Sequence, residues 1–142
     1  WGTLYRAPAL GWDYAPWQQL WRLEGVDHLH VNGLYNKFSE SNESVIAAAR
    51  AVLAPINDAA PMEAMPVFSS GQTGRQAAQT YAAIGCADLI HTAGGGIFGH
   101  PAGVPAGVEA LRAAWRAAMA GASLEDEATR STALKTALGF WR

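Results

Sequence analysis

The residues of this 142-residue chain that could do chemistry fall into a few short segments. They are His28 and His30, Asn32 and Lys37 just beyond, Ser69-Ser70-Gly71, and Gly94-Gly95-Gly96. His28 and His30 alternate, so on a strand they share a face. No HExxH or CxxC pattern and no carboxylate pair accompanies them, so the spacing makes no metal site. A histidine on a strand is either a hydrogen-bonded packing residue or a proton-transfer group. Lys37, in a polar loop, is either solvated or a cation aimed at developing negative charge. Ser69-Ser70-Gly71-Gln72-Thr73-Gly74 and Gly94-Gly95-Gly96 put small residues where strand gives way to helix. There backbone N–H groups can converge on an anion and a helix N-terminus adds a favourable dipole. Glycines in such places also serve tight turns. His91, His100 and Cys86 have no catalytic neighbours in the sequence and read as structural.

The elements that must position these residues alternate between helix and short apolar strand. A helix is expected from about Asp13 to Leu23, its apolar stripe made by Trp17, Leu20, Trp21 and Leu23, with Gly25 as its C-terminal cap. A strand follows at 26–32. The next helix is capped by Ser41 or Asn42, buries Val45, Ile46, Ala49, Val52 and Leu53, and stops before Pro55. A strand at 64–69 leads to a helix over 73–83 with Ala77, Tyr81 and Ile84 inward, closed by Gly85. A third strand at 87–92 runs into the Gly-Gly-Gly loop. A long helix at 105–120 presents Val108, Leu111, Trp115 and Met119 as its buried stripe, with Pro105 in its first turn. Ser123 and Asp126 suggest a capping box, and a last helix carries Leu134, Leu138 and Trp141. Residues 121–142 thus read as a terminal helical extension. Trp1 to Tyr5 reads as the end of a fourth strand. The chain starts without Met or an introductory turn, so truncation at its N-terminus is the expectation.

This order implies βαβ units and a parallel sheet, either a small doubly wound domain of flavodoxin type or half a barrel. The polar residues and glycines follow the C-terminal ends of the strands, whereas loops at the other ends, such as 55–61, carry no comparable cluster. Ligands of parallel α/β folds bind at the strands' C-terminal ends. Composition excludes other classes. A net charge of −2 with ten scattered Lys and Arg offers no basic stripe for nucleic acid or a membrane surface. A single cysteine permits no internal disulfide and fits a cytoplasmic location. No apolar run is long enough to span a bilayer.

Three segments resemble the RuBisCO large-chain family. Val26-Asp27-His28-Leu29-His30 with Lys37 is similar to strand six and its mobile loop. Pro66-Val67-Phe68-Ser69-Ser70-Gly71 is similar to the strand-seven segment Pro-Val-x-Ser-Gly-Gly. Gly94-Gly95-Gly96-Ile97-Phe98-Gly99-His100-Pro101 matches the strand-eight pattern Gly-Gly-Gly-x-x-Gly-His-Pro. The resemblance implies the C-terminal half of a (β/α)8 barrel, strands five to eight, followed by C-terminal helices. It implies that His30 and Ser69 hold one substrate phosphate or a nearby hydroxyl. Ser70, Gly71, Gly94, Gly95 and Gly96 would line the other phosphate position, and Lys37 would be the catalytic lysine of the loop, with His30 beside it.

The departures point to the RuBisCO-like branch. Ser70 stands where the carboxylase has Gly, and Leu34-Tyr35-Asn36-Lys37-Phe38-Ser39-Glu40 replaces Val-Val-Gly-Lys-Leu-Glu-Gly. The resemblance then implies an enzyme that decarboxylates, enolises or isomerises a phosphorylated keto-sugar or keto-acid through an enediolate on Mg2+. The metal ligands would lie upstream of Trp1, and the full-length protein would be a homodimer or higher oligomer. The rivals are the carboxylase itself and a catalytically silent barrel.

Overall fold

The computed structural model describes residues 7, 9, 11, 13–38, 40–59 and 61–141; the strand expected at Trp1 to Tyr5 lies outside them. The elements are α1 (Tyr14–Leu23), β1 (His28–His30), α2 (Asn42–Leu53), β2 (Met65–Phe68), a 3-10 turn (Gly74–Gln76), α3 (Ala77–Ile84), β3 (Ile90–His91), α4 (Gly94–Phe98), α5 (Val104–Ala120), α6 (Leu124–Arg130) and α7 (Thr132–Phe140). The strands pair in chain order, β1-β2-β3, and both pairs are parallel. His30 lies opposite Val67, and Val67 opposite Ile90.

Period two decides what each strand face does. Leu29 and Phe68 pack into one cluster with Val45, Ala48, Ala49 and Val52 of α2, while His28 and His30, on the other face, are exposed. Successive helices pack side by side along the sheet, α1 on α2, α2 on α3 and α3 on α5. Sequential parallel strands with one helix-covered face make an arc of a barrel; a doubly wound sheet would carry helices on both faces.

Local chemistry explains the helix ends. Ser41 accepts from Ser44 N–H to start α2. Gly25, at φ +86°, closes α1 in a left-handed turn, with Gly25 N–H on Arg22 O and Val26 N–H on Trp21 O. Thr73 and Gln76 form a reciprocal capping box at the 3-10 turn, so the helix expected to begin at Thr73 becomes regular α only at Ala77. At Ser123 the box is one-sided: the hydroxyl accepts from Asp126 N–H.

Two apolar stripes are not where periodicity puts them. On α1 the buried face is Tyr14, Gln18 and Arg22, while Leu20, Trp21 and Leu23 are 58%, 42% and 56% exposed. Backbone satisfaction is the reason. Tyr14 Oη–H and Gln18 Nε2–H both donate to His30 O on β1. Arg22 reaches the carbonyls of Ala51, Ala54, Pro61 and Met62. On α5 the buried residues are Gly107, Ala110, Ala113, Ala114, Ala117 and Ala118, and Val108 and Met119 are exposed. Small side chains let α5 approach its neighbours closely. A Cβ on Gly107 would lie 2.4 Å from Ile97 O, and one on Gly74 would lie 3.1 Å from Ala114 Cβ. α7 completes this side by burying Leu134 with Ala77, Ala113 and Ala114. No helix among the described residues is long and apolar enough to cross a membrane.

Candidate active site

The C-terminal ends of β1 and β2 are joined by a chain of side-chain contacts. His30 Nδ1 lies 3.2 Å from Ser69 Oγ, Ser69 Oγ lies 3.4 Å from Ser70 Oγ, and Ser70 Oγ–H donates to Asn32 Oδ1 at 3.0 Å. Ser69 N–H donates to Asn32 O, continuing the strand pairing. Asn32 and Ser70 both adopt positive φ, +62° and +70°. For residues with a Cβ this conformation costs on the order of 1 kcal/mol or more, least for Asn. Residues His30, Asn32, Ser69 and Ser70 line a cleft of about 550 Å³ that extends beneath α1 to Tyr14 and Trp17. Burial pushes the Tyr14 phenol up to about 12, so it stays a donor to His30 O.

Lys37 is brought to the same place. Its backbone N–H donates to Ser70 O at 3.2 Å, and a Cβ on Gly71 would sit 3.6 Å from Lys37 Cβ. The loop is tied along its length. Asn36 Nδ2–H reaches Gly33 O and Glu40 O, Phe38 N–H reaches Asn36 Oδ1, and Tyr35 N–H reaches Asn42 Oδ1. Tyr35 and Phe38, the bulky departures noted in the sequence, are exposed, and the Lys37 ammonium lies 5.6 Å from the Phe38 ring centre. The lysine is thus on a backbone-anchored turn beside Ser70.

A second network supports that turn from below. Gln72 is buried, and its Nε2–H donates to Leu34 O at 3.1 Å. Its close approach requires Gly33, where a Cβ would lie 2.2 Å from the Gln72 amide. Gln72 Oε1 faces His91 Nε2 at 3.4 Å, and His91 Nδ1 accepts from Trp115 Nε1–H at 2.9 Å. Indole N–H only donates, so Nδ1 carries no proton and Nε2–H points at Gln72. The histidine expected to be structural therefore orients the amide that holds the Lys37 loop. Burial lowers the His91 pKa to about 4, below its unfolded value near 6.5. The unfolded chain then binds more protons between these values, so stability is complete above about pH 6.5 and is lost as pH falls towards 4. His91→Asn, which keeps an acceptor for Trp115 and does not titrate, is expected to flatten the melting-temperature profile between pH 6.5 and 4. An unchanged acid slope would remove His91 as its source.

The glycines divide into two kinds. Gly94 and Gly95 are exposed, and a Cβ on either would meet nothing within 4 Å. Gly96 is needed for packing, since its Cβ would lie 2.9 Å from Gln72 O. The segment is also not a loop: Gly94 to Phe98 form the one-turn helix α4. The Gly94, Gly95 and Gly96 N–H groups precede the first intrahelical bond, Ile97 N–H to Ala93 O, so they are unused donors of a first turn. Gly96, expected either to offer its N–H to a phosphate or to serve a turn, makes a close approach of backbone to backbone.

Not every expected residue joins the cluster. His28 begins β1 instead of ending it and lines a separate cleft of about 590 Å³ at the opposite ends of the strands, with Asp27, Glu63, Cys86 and Asp88. His100 is buried and bonded to Ala133 O, accepting from Ala102 N–H, a structural role as expected. Thr92 donates to Phe68 O. Among the described residues no group of three or more His, Cys, Asp or Glu could hold a metal ion, so the residues described here do not fit a Mg2+ site. Sequence reasoning left Gln72 out of the site. Its signal is a long amide side chain in a loop otherwise made of small residues.

Comparison with known proteins gives a consistent picture. The profile of the family described as ribulose bisphosphate carboxylase large chain, catalytic domain, matches residues 1–141. The 3-oxo-isoapionate-4-phosphate transcarboxylase/hydrolase of Xanthobacter autotrophicus is 89% identical over 142 residues, which are 100% of this chain and 34% of that protein. The 3-oxo-isoapionate-4-phosphate decarboxylase of Rhizobium etli is 46% identical over 126 residues, 88% of this chain and 30% of that protein. The crystal structure of a rubisco-like protein from Burkholderia fungorum superposes with a TM-score of 0.94 at 42% identity, covering 99% of this chain and 35% of that one. The chain spans about a third of the length of these relatives.

Proposed function

The chain belongs to the ribulose bisphosphate carboxylase large-chain family, and we propose on that premise that its full-length protein is a RuBisCO-like enzyme that detaches a carboxyl group from a phosphorylated 3-oxo acid. The observation that carries this reading is the cluster at the strand ends, where His30, Ser69 and Ser70 meet and the Lys37 backbone is tied to Ser70 O, with the exposed Gly94 and Gly95 following the next strand. The names of the relatives supply the substrate class. When the C1–C2 bond of a 3-oxo acid breaks and the carboxyl carbon leaves as CO2, the bonding pair stays on C2 and the adjacent 3-oxo oxygen takes it up as negative charge. Lys37, on the turn tied to Ser70, is the cation assigned to stabilise that charge. The Gly71, Gly94 and Gly95 N–H groups hold the phosphate, and binding energy from that remote group positions the reacting carbons. His30 and Ser69 orient the end of the substrate nearest β1. Mg2+ ligands, the second copy of a homo-oligomer and the cytoplasmic location implied by the resemblance belong to the same proposal.

The test is the full-length protein incubated with a phosphorylated 3-oxo acid, with decarboxylated or transcarboxylated product followed by mass spectrometry. Gly95→Asp is the accompanying variant. It sets a carboxylate where the phosphate is placed, and affinity for a phosphorylated ligand is expected to fall by roughly a hundredfold or more, as for an uncompensated like charge at a bound anion. Its side chain meets open space, and Asp suits a helix first turn, so the melting temperature is expected to hold. Unchanged ligand affinity would take α4 out of the site.

A further inference from the structure

Two residues at the heart of the cluster hold a backbone conformation that favours glycine, and they hold it facing one another. Asn32 ends β1 at φ +62° and Ser70 follows β2 at φ +70°. In that conformation each Cβ occupies the position where glycine has only hydrogen, so each projects a polar group that a glycine backbone would lack. Ser70 Oγ–H is committed to Asn32 Oδ1 at 3.0 Å. With Oδ1 accepting from Ser70, the Nδ2 group keeps both of its N–H donors, with no acceptor among the described residues. Ser70 also holds Lys37, through its carbonyl, and lies 3.4 Å from Ser69, which meets His30. Asn32, Ser69, Ser70 and His30 all line the same cleft.

We propose that Asn32, oriented by Ser70, is a specificity-determining residue whose Nδ2–H donates to the carboxylate of the substrate. The inference rests on the reading of the protein as an enzyme for phosphorylated 3-oxo acids. Such a substrate has two anionic ends. The phosphate end suits the backbone donors of Gly71, Gly94 and Gly95. The other end meets side chains: an amide with two N–H donors, a serine pair and an imidazole, with the Lys37 turn alongside. A flat two-oxygen carboxylate accepts readily from an amide NH2. Backbone strain at two facing positions, tied together by their own side chains, is a cost that persists where function uses it.

Asn32→Asp in the full-length enzyme is the direct test. Its carboxylate still accepts from Ser70 Oγ–H, so the local structure is kept, while the donors are replaced by negative charge. Asn32→Gly is the companion: it keeps the left-handed backbone without strain and guards against an Asp that pairs with Lys37. Both variants are expected to raise KM for a phosphorylated 3-oxo acid roughly ten- to a hundredfold, the range for losing a hydrogen bond to a charged group. The melting temperature should stay within a few degrees of the parent for Asn32→Asp and should not fall for Asn32→Gly. The competing probe is dihydroxyacetone phosphate, a keto phosphate without a carboxylate; its inhibition constant should change by less than about threefold. Unchanged KM in both variants overturns the proposal, as does an equal loss of affinity for the probe, which would place Asn32 at the phosphate end. A parent enzyme inactive on phosphorylated 3-oxo acids defeats the functional reading and this inference together. An active parent with unaffected variants defeats the inference alone.

Discussion

Lys37→Met in the full-length enzyme is expected to lower kcat by roughly a hundredfold or more, since a lost electrostatic donor in comparable sites costs about 2.7–4 kcal/mol. Methionine keeps most of the stem and removes the charge. The effect belongs in kcat because negative charge on the substrate oxygen grows only as the carboxyl carbon departs. Ground-state affinity should fall much less if, as proposed, the Gly71, Gly94 and Gly95 backbone supplies the phosphate contacts. Stability should scarcely change. The loop is held by backbone bonds, Lys37 N–H to Ser70 O and Gln72 Nε2–H to Leu34 O, and the side chain itself is exposed. Steady-state kinetics with a melting curve as control decides the matter. A variant with near-parental kcat would show that the lysine is merely solvated and would favour a catalytically silent barrel.

Arg22→Met is expected to destabilise the protein by about 3–5 kcal/mol, because several buried carbonyls lose their donor at a cost of about 1–3 kcal/mol each. Arg22 is 1% exposed and donates to four backbone carbonyls, Ala51, Ala54, Pro61 and Met62, and to Gln19 Oε1. It therefore welds α1 to the segment that leads from α2 into β2. Methionine fills much of the volume but leaves those acceptors buried without donors. Arg22→Lys should recover little, because an ammonium on a single stem cannot span acceptors spread over twelve residues as the planar guanidinium does. Urea unfolding measures the loss, and amide hydrogen exchange should show reduced protection across residues 51–62. A destabilisation below about 1 kcal/mol would mean that water replaces the guanidinium without penalty.

These two residues also mark how unevenly the molecule could be read from its sequence. Lys37 was legible because a lysine seven residues beyond His30 sits in a recognisable strand-and-loop pattern. Arg22 was not. On a helical wheel it reads as part of the solvent face, and Leu20, Trp21 and Leu23 look like the core. Periodicity records the hydrophobicity of side chains but says nothing of which backbone carbonyls lack donors nearby. Here those carbonyls, on β1 and on the 51–62 segment, claim the Tyr14-Gln18-Arg22 face. The same blindness affects α5, where Val108 and Met119 looked buried and alanines are buried instead. Close helix approach selects for small side chains, and the distance between two helices is a property of the packed molecule.

What the amino-acid order determined by itself was the succession of strands and helices, their parallel pairing, and the gathering of small and polar residues after the strands' C-terminal ends. Hydrophobic runs, caps such as Ser41 and breaks such as Gly25 and Gly85 act within a few residues, so they are written locally. Only the tertiary structure decided which of the small and polar residues border the cleft and which pack into the frame. Gly95 and Gly96 are neighbours in sequence, yet one faces open space and the other lies against the Gln72 carbonyl. His30 and His91 are both strand histidines, yet one meets Ser69 at the cleft and the other is wedged between Gln72 and Trp115. Asn32 and Ser70 are 38 residues apart and meet only because β1 and β2 are adjacent. Each of these distinctions rests on contacts between elements distant in sequence, which no local pattern of residues encodes.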